Sequence, residues 1–443
     1  MTRVVTTLIL ILFIGLLSAE VITLEQAKEI AIERNLDYKS QQETYNSAKW
    51  NYTKSITSLF PSASLSASYT NSQLENPGLG SAVTERGSYG LSVNQPIFQG
   101  GRIITGARIS KDAQKMSKLT LSEKELEILN TTEEKYYSMI EAMRVLEIST
   151  KQLESAELRI NDAQTKFDQG TISRADLLKF QADGANTQVS LIQSQLAYDV
   201  SYRDLKNYLL MSEDFEIEDE SHFSVKEEVD SIALINPLTM KSILSRMTEY
   251  TLENNNSLKS LRISKDIASK SLLMTKSVFL PSINLGYSYS QNGDIDDDFA
   301  DYPWSSTLSI TASMPIFPLV GTYSDVAKSK SDLKKTEYDY TNTENGFSLN
   351  VESSLLNLFS SAHRFKASTL SLDYSLETYE QMQERYKNGL ISSTDLLDAE
   401  VAYKSAQINE ISSKFTYLKT RANLKKLLGL SDDNEIIRMI IEN

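Results

Sequence analysis

The sequence predicts a mainly α-helical protein with transmembrane β structure: duplicated long α-hairpins, plus four strands per chain of a β-barrel shared between subunits. Three observations carry that prediction. Glycine and proline are scarce, 16 and 8 in 443 residues, so turns are few and elements long. The same landmarks recur at a spacing of 219 or 220 positions, the mark of an internal duplication. Four short stretches alternate apolar with small, mostly hydroxylated residues at a period of two, as strands with one apolar and one wet face do.

Composition removes most other classes. The net charge of −14 speaks against a nucleic-acid surface, which needs bulk positive charge. No cysteine is present, which excludes thiolate catalysis, disulfides, cysteine-ligated zinc and a lipid on cysteine. His222 and His363 are the only histidines, too few for a multi-histidine metal site, and they read as ordinary surface or interface side chains. No catalytic constellation stands out, and neither enzyme activity nor a cofactor is expected.

At the N-terminus, Arg3 precedes the mostly apolar run Val4 to Leu17, and Ser18-Ala19 offers small residues for cleavage. A spanning helix needs about 20 apolar residues, so residues 1–19 read as a cleaved signal peptide rather than an anchor. Leu17 is a poor residue for the position three before the cut. The mature protein is expected to leave the cytoplasm.

The duplication divides the rest into repeats at 20–230 and 231–443. Phe167 to Leu178 (FDQGTISRADLL) recurs as Tyr386 to Leu397 (YKNGLISSTDLL), and Gln95-Pro96-Ile97-Phe98 recurs as Met314-Pro315-Ile316-Phe317. Pro61-Ser62 with Tyr69 matches Pro281-Ser282 with Tyr289, and Leu209-Leu210-Met211-Ser212 matches Leu428-Gly429-Leu430-Ser431. Strands are predicted near 61–72, 87–98, 281–291 and 304–317. On them Leu65, Leu91, Leu285 and Leu308 share an apolar face, while Ser64, Ser92, Asn284 and Ser309 share a polar one. Four strands cannot close a barrel, since the smallest have about 8, and open edges are not tolerated in lipid. Strand counting alone permits a dimer, trimer or tetramer.

Everything else reads helical. No Gly or Pro falls between Gly106 and Gly170, and a helix of that length runs roughly 95 Å at 1.5 Å per residue. Residues 24–60 and 173–212 are shorter helices that could stack end to end beside it, and 238–280, 322–388 and 390–428 copy the arrangement. Gly346 predicts a bend or unwound turn in the second long helix.

The order of these landmarks, with the start Thr23-Leu24-Glu25-Gln26-Ala27, the strand opener Leu59-Phe60-Pro61-Ser62 and the turn Gln95 to Gly101, resembles the TolC family of trimeric outer membrane efflux proteins over nearly the whole mature chain. The resemblance implies a homotrimer in which each chain gives four strands to one 12-stranded β-barrel in outer membrane lipid, continued by a periplasmic α-barrel. It also implies a periplasmic adaptor (membrane fusion) protein and an inner-membrane pump as partners, and passive export in efflux or type I secretion. The absence of cysteine sets the chain apart from lipid-anchored members, and the short tail after Leu430 fits a C-terminus outside the barrel.

Function is expected at the helix tips. Gly170 and Gly389 follow long helices and suit positive φ, and Ser173 and Ser392 are placed to cap the next helices. By the resemblance, these turns form the periplasmic mouth that meets the adaptor. Asp395 and Asp398, at i and i+3, share a helix face, and the first repeat has Lys179 where the second has Asp398. The segment Thr394 to Ala399 resembles the family's constriction motif, which in a trimer makes two rings of carboxylates. The resemblance also implicates Asp176 and Tyr386 in a gating latch. Ile391 stands where the family often has arginine, and Arg174 is the candidate substitute. The bland reading is that Asp176 and Asp395 only favour the helix start.

Two acidic segments complete the survey. Asp294, Asp296, Asp297, Asp298 and Asp301 lie between the third and fourth strands without EF-hand spacing, so a solvated extracellular loop is expected. Glu213 to Asp230 is expected in a solvated collar around the helices. The competing class is a structural or adhesive envelope spacer without transport.

Overall fold

The structure, a computed structural model, describes residues 20–76, 80–218, 225–295, 301–316 and 319–441. The signal segment, His222, Asp296, Asp297, Asp298, Phe317 and the C-terminal Asn443 lie outside the described residues.

The chain opens with β1 (Glu20–Ile22), α1 (Leu24–Arg34) and α2 (Leu36–Thr57). Thr23 and Gln26 form a reciprocal capping box at the start of α1, which satisfies two orphan amides. Instead of the single helix expected over 24–60, the chain breaks at Asn35. Its backbone N–H donates to the Ala31 carbonyl, closing α1, while its side-chain oxygen accepts from the Tyr38 N–H, opening α2. Asn255 repeats the device between α6 (Pro237–Asn254) and α7 (Asn256–Lys276), so the helix expected over 238–280 is likewise two. One asparagine can end one helix and cap the next because its short side chain mimics backbone.

Two hairpins of strands, β2 (Ser62–Asn76) with β3 (Gly80–Gln99) and β5 (Ser282–Asp294) with β6 (Ser305–Ser313), join through β3 and β5 into one antiparallel sheet ordered β2-β3-β5-β6. The register sorts the faces. Leu65 lies opposite Leu91, Leu91 opposite Tyr289, Tyr287 opposite Leu308, and Leu285 opposite Ile310. On the other face Ser64 and Ser92 share a hydrogen bond of 2.8 Å, and Ser68 and Ser88 one of 2.6 Å. Among the described residues the apolar face is largely open: Leu65, Leu308 and Ile310 are 84%, 70% and 74% exposed. The ladder shifts register between Pro96 and Phe98, where proline has no N–H to give.

Helix α3 (Arg102–Asp168) has 67 residues and α8 (Leu319–Lys387) has 69, each close to 100 Å at 1.5 Å per residue. Helix α8 runs through Gly346 without interruption, so the expected unwound turn is absent. A single glycine costs about 1 kcal/mol in a helix, which a cooperative run of this length absorbs. Helix α4 (Arg174–Tyr208) folds back along α3, and α9 (Ser393–Leu428) along α8. In the tip-proximal half, α3 of the first hairpin packs on α9 of the second.

The main core sits at mid-length of the long helices, where β4 (Phe215–Ile217), α5 (Lys226–Ala233) and α10 (Asp433–Ile441) gather around them. Tyr136 is fully buried there and donates to the carbonyl of Ile22 at 3.0 Å, tying parallel strands β1 and β4 to α3. The segment from Glu213 to Asp230 is therefore not a wholly solvated collar. Phe215 and Ile217 enter the core, and the Glu228 carboxylate accepts from Arg421 at 2.9 Å and from the Tyr417 hydroxyl. Among the described residues no helix is long and apolar enough to cross a membrane.

Candidate functional site

Both tips close by the same backbone device. Gly170 (φ +73°) and Gly389 (φ +69°) adopt the left-handed conformation that glycine alone takes without a Cβ penalty. The N–H of Gly170 donates to Phe167 and that of Thr171 to Lys166, while Gly389 donates to Tyr386 and Leu390 to Arg385. This crossed pair of bonds satisfies the last helix carbonyls. Two residues on, Ser173 and Ser392 cap α4 and α9, each accepting from the N–H of the aspartate three positions later, Asp176 at 3.1 Å and Asp395 at 3.2 Å.

The two aspartates then diverge. Asp395 is exposed, and its Oδ2 accepts from the Ser392 hydroxyl at 2.8 Å and the Ser392 N–H at 3.0 Å. Those donors hold its carboxyl below the usual carboxylate range. Asp176 accepts from the Ser173 hydroxyl at 2.7 Å on one oxygen and from the Ser393 hydroxyl at 2.6 Å on the other, so it links the first tip to the second. These two hydroxyls lower its pKa. Beside this link Lys179 donates to Thr394 at 2.8 Å and lies 3.8 Å from Asp176.

Tyr386 packs edge-on against Phe180, with ring centroids 6.0 Å apart, and beneath the Lys166 ammonium at 5.0 Å. Burial pushes its hydroxyl pKa up. Among the described residues no hydrogen bond joins Tyr386 to Asp176. Arg174 and Asp398 are exposed and have no hydrogen-bond or ion-pair partner among the described residues. His363 is exposed as well, and no group of side chains among the described residues could hold a metal ion.

Sequence reasoning singled out Asp176 but not its partner Ser393, nor Lys179 as a cross-tip donor, because both contacts join residues more than 200 positions apart. A further cluster escaped it. About three turns from the tips, Arg159 of α3 meets Glu400 of α9 at 2.6 Å and Asp183 of α4 at 3.5 Å, and Lys404 meets Glu400 at 2.9 Å and Asp183 at 3.9 Å. Glu400 is buried. Four charges of balanced sign thus cross the seam between hairpins inside one chain. Each is an unremarkable helix-surface residue in sequence.

Known proteins resemble the chain over nearly its whole length. The family model described as outer membrane efflux protein matches it twice, at residues 28–209 and 248–430. The outer membrane protein TolC of Salmonella enteritidis is 21% identical over 399 residues, covering 86% of this chain and 76% of that protein. The alkaline protease secretion protein AprF of Pseudomonas aeruginosa is 24% identical over 354 residues, covering 78% and 70%. Among solved structures, the Campylobacter jejuni CmeC outer membrane channel superimposes with a TM-score of 0.76 at 18% identity, over 95% of this chain and 89% of that one. The chain belongs to the outer membrane efflux protein family, as a non-enzymatic channel of the outer membrane with a periplasmic helical extension, trimeric as its family implies and working with efflux or secretion partners.

Proposed function

We propose that this chain is the exit duct of a tripartite export system, in which a periplasmic adaptor protein seats on the helix tips at Gly170, Ser173, Gly389 and Ser392 and an inner-membrane pump supplies the driving force. The observation that carries the duct reading is the sheet register, which places hydroxyls and amides on one face and large apolar side chains on the other. In a shared barrel of twelve strands the first face lines water and the second meets outer membrane lipid. The division that goes with this reading is a signal peptide at 1–19, a first repeat at 20–230 and a second at 231–443.

At the periplasmic end, Asp395 and Asp398 form the constriction. Three copies bring them into rings on the axis, where like charges repel and attract cations. Asp176, Tyr386 and Arg174 belong to the contacts that hold this entrance closed: Asp176 through Ser393, Tyr386 through the small cluster with Phe180 and Leu177, and Arg174 as an exposed cation at the tip. Single-channel recording in planar bilayers tests the reading. A duct conducts, is blocked by trivalent cations added from the periplasmic side, and loses that block when Asp395 and Asp398 are both alanine. A spacer without a pore gives no conductance, and unchanged block in the double variant would remove the constriction assignment.

A further inference from the structure

A cavity of about 910 Å³ opens at mid-length of the long helices, where α1, α3, α9 and the segment entering α10 meet. It lies far from the entrance: from Asn130 to the tip at Gly170, α3 runs about 60 Å at 1.5 Å per residue. Two chemistries share its wall. Ile32, Leu126, Leu129 and Leu430 supply apolar surface, and carboxylates of α1 and α3 supply charge.

The floor is built from two buried acceptors. Glu133 is 1% exposed and Asn130 4%. The Glu133 Oε1 atom accepts from Lys28 at 2.8 Å and from Lys425, and the Asn130 side-chain nitrogen donates to Asn423 and to Glu134, each at 3.1 Å. Their other oxygens, Glu133 Oε2 and Asn130 Oδ1, have no donor among the described residues. Buried acceptors are almost always satisfied in folded proteins, and these two stand three residues apart on α3, on one face of the helix. A ligand that fits this floor brings N–H groups to it.

The mouth favours a cation. Glu25, Glu29 and Glu33 line it at four-residue intervals along α1, about 6 Å apart along the axis, and Asp432 joins them from the segment before α10. Of the four basic residues in the wall, Arg421 is held by Glu228 at 2.9 Å and Lys426 faces Glu123, both anions outside the lining. Five acids therefore stand against two remaining cations, Lys28 and Lys425, and the excess negative charge draws positive ligands in.

We propose that this cavity binds a linear aliphatic di- or polyamine. One ammonium donates to Glu133 Oε2 and Asn130 Oδ1 on the floor, the methylene stem lies along Ile32, Leu126 and Leu129, and a second ammonium meets the carboxylates of α1. Each alternative leaves part of the cavity unused. An anion would face two buried acceptors and the acidic mouth, a neutral apolar molecule would bring no donor, and among the described residues no group of side chains could hold a metal ion. Because α3 belongs to the first hairpin and α9 to the second, a bound amine also ties the two hairpins together.

Calorimetric titration of spermidine into purified trimers in detergent tests the proposal. An Asp395→Ala, Asp398→Ala background removes the entrance carboxylates as a competing cation site. Spermidine should bind once per chain there, raise the unfolding midpoint, and be displaced by putrescine but not by the diol of the same length. Glu133→Gln should weaken binding about tenfold, the scale of one lost charge-assisted hydrogen bond. Since that change also takes a carboxylate from Lys28 and Lys425, the combined Glu25→Gln, Glu29→Gln, Glu33→Gln variant, confined to exposed side chains, provides a second measurement. It should bind several-fold more weakly while keeping the helical circular dichroism of the parent. Absence of binding in the double-alanine background, displacement by the diol, or affinity unchanged in either variant that folds overturns the assignment.

Discussion

Removing Arg159 should destabilise the assembled channel strongly, and removing Glu400 as well should add less than its own separate cost. The cluster holds two cations and two anions, with Arg159 to Glu400 at 2.6 Å and Lys404 to Glu400 at 2.9 Å. Unit charges about 4 Å apart interact by about 4 kcal/mol at an effective dielectric of 20. Losing one partner of a buried pair costs about 3–5 kcal/mol because the other charge is left desolvated. Arg159 retains some exposure, which places Arg159→Met near the lower end, about 3 kcal/mol. Glu400→Met leaves Arg159 and Lys404 facing Asp183 alone and should cost a similar amount. In the double variant the remaining pair, Lys404 and Asp183, is neutral, so the double cost should fall short of the summed single costs by about 2 kcal/mol, within the range of coupling for contacting charges. Urea unfolding of trimers in detergent, followed by helical circular dichroism for all four members of the cycle, measures it. Thr378→Val, at the position corresponding to Arg159 in the second repeat, is a control that should change stability by less than about 0.5 kcal/mol. Additivity of the two methionine substitutions to within about 0.5 kcal/mol would refute a shared buried cluster.

Three further outcomes follow from the same geometry. Leu308→Arg should cost about 2–4 kcal/mol if its position lies near the bilayer midplane, whereas Ser288→Thr on the opposite face should be tolerated; equal yields of heat-resistant trimer in the outer membrane would invert the assigned faces. The Asp176 carboxyl lies below its ordinary value through the hydroxyls of Ser173 and Ser393, so its link is fully present above the unfolded carboxylate pKa of about 3.9 and is lost as pH falls through the lower folded value. Conductance recorded from pH 7 downward should therefore rise only below about pH 4, and Asp176→Asn should remove that transition. Leu210 adopts φ +52° where the second repeat has Gly429 at φ +77°. Relief of a left-handed leucine is worth about 1 kcal/mol, partly offset by the freer unfolded chain, so Leu210→Gly should stabilise by about 0.5 kcal/mol, read as a small rise in the unfolding midpoint.

What was legible in the sequence followed from patterns that need no partner. The strand period of two, the long stretch without glycine or proline and the tip glycines are local constraints on the backbone, and each produced the element it signalled. The breaks at Asn35 and Asn255 were legible in principle, since each asparagine stands at the matched place in its repeat, but an uninterrupted run of helix formers hides a cap that also continues the helix direction. Gly346 failed in the opposite sense: a helix breaker by propensity, it sits in open space inside a helix too long to be stopped by it. Glu228 was read with its acidic neighbours as solvated, because its partner Arg421 stands 193 positions away. The cluster around Glu400 was invisible for the same reason: charge alone does not say which side of a helix another helix will cover.

The duplication also explains why specificity concentrates where the repeats disagree. Matching positions such as Gly170 and Gly389, or Ser173 and Ser392, do the same job twice, so they define the fold of a hairpin and cannot distinguish one hairpin from the other. The cluster of Arg159, Asp183, Glu400 and Lys404 has Thr378, Ala402, Gln181 and Ala185 at the duplicate positions, so the charges that staple two hairpins within a chain have no charged duplicates. Lys179 and Asp398 differ in sign at one structural position, which gives the first hairpin a bond to Thr394 and leaves the second with a bare carboxylate. A ring of six identical hairpins would have to loosen everywhere or nowhere. On the duct reading proposed above, an opening movement would fall at the contacts between chains and leave the hairpins of one chain, stapled by these charges, to move together.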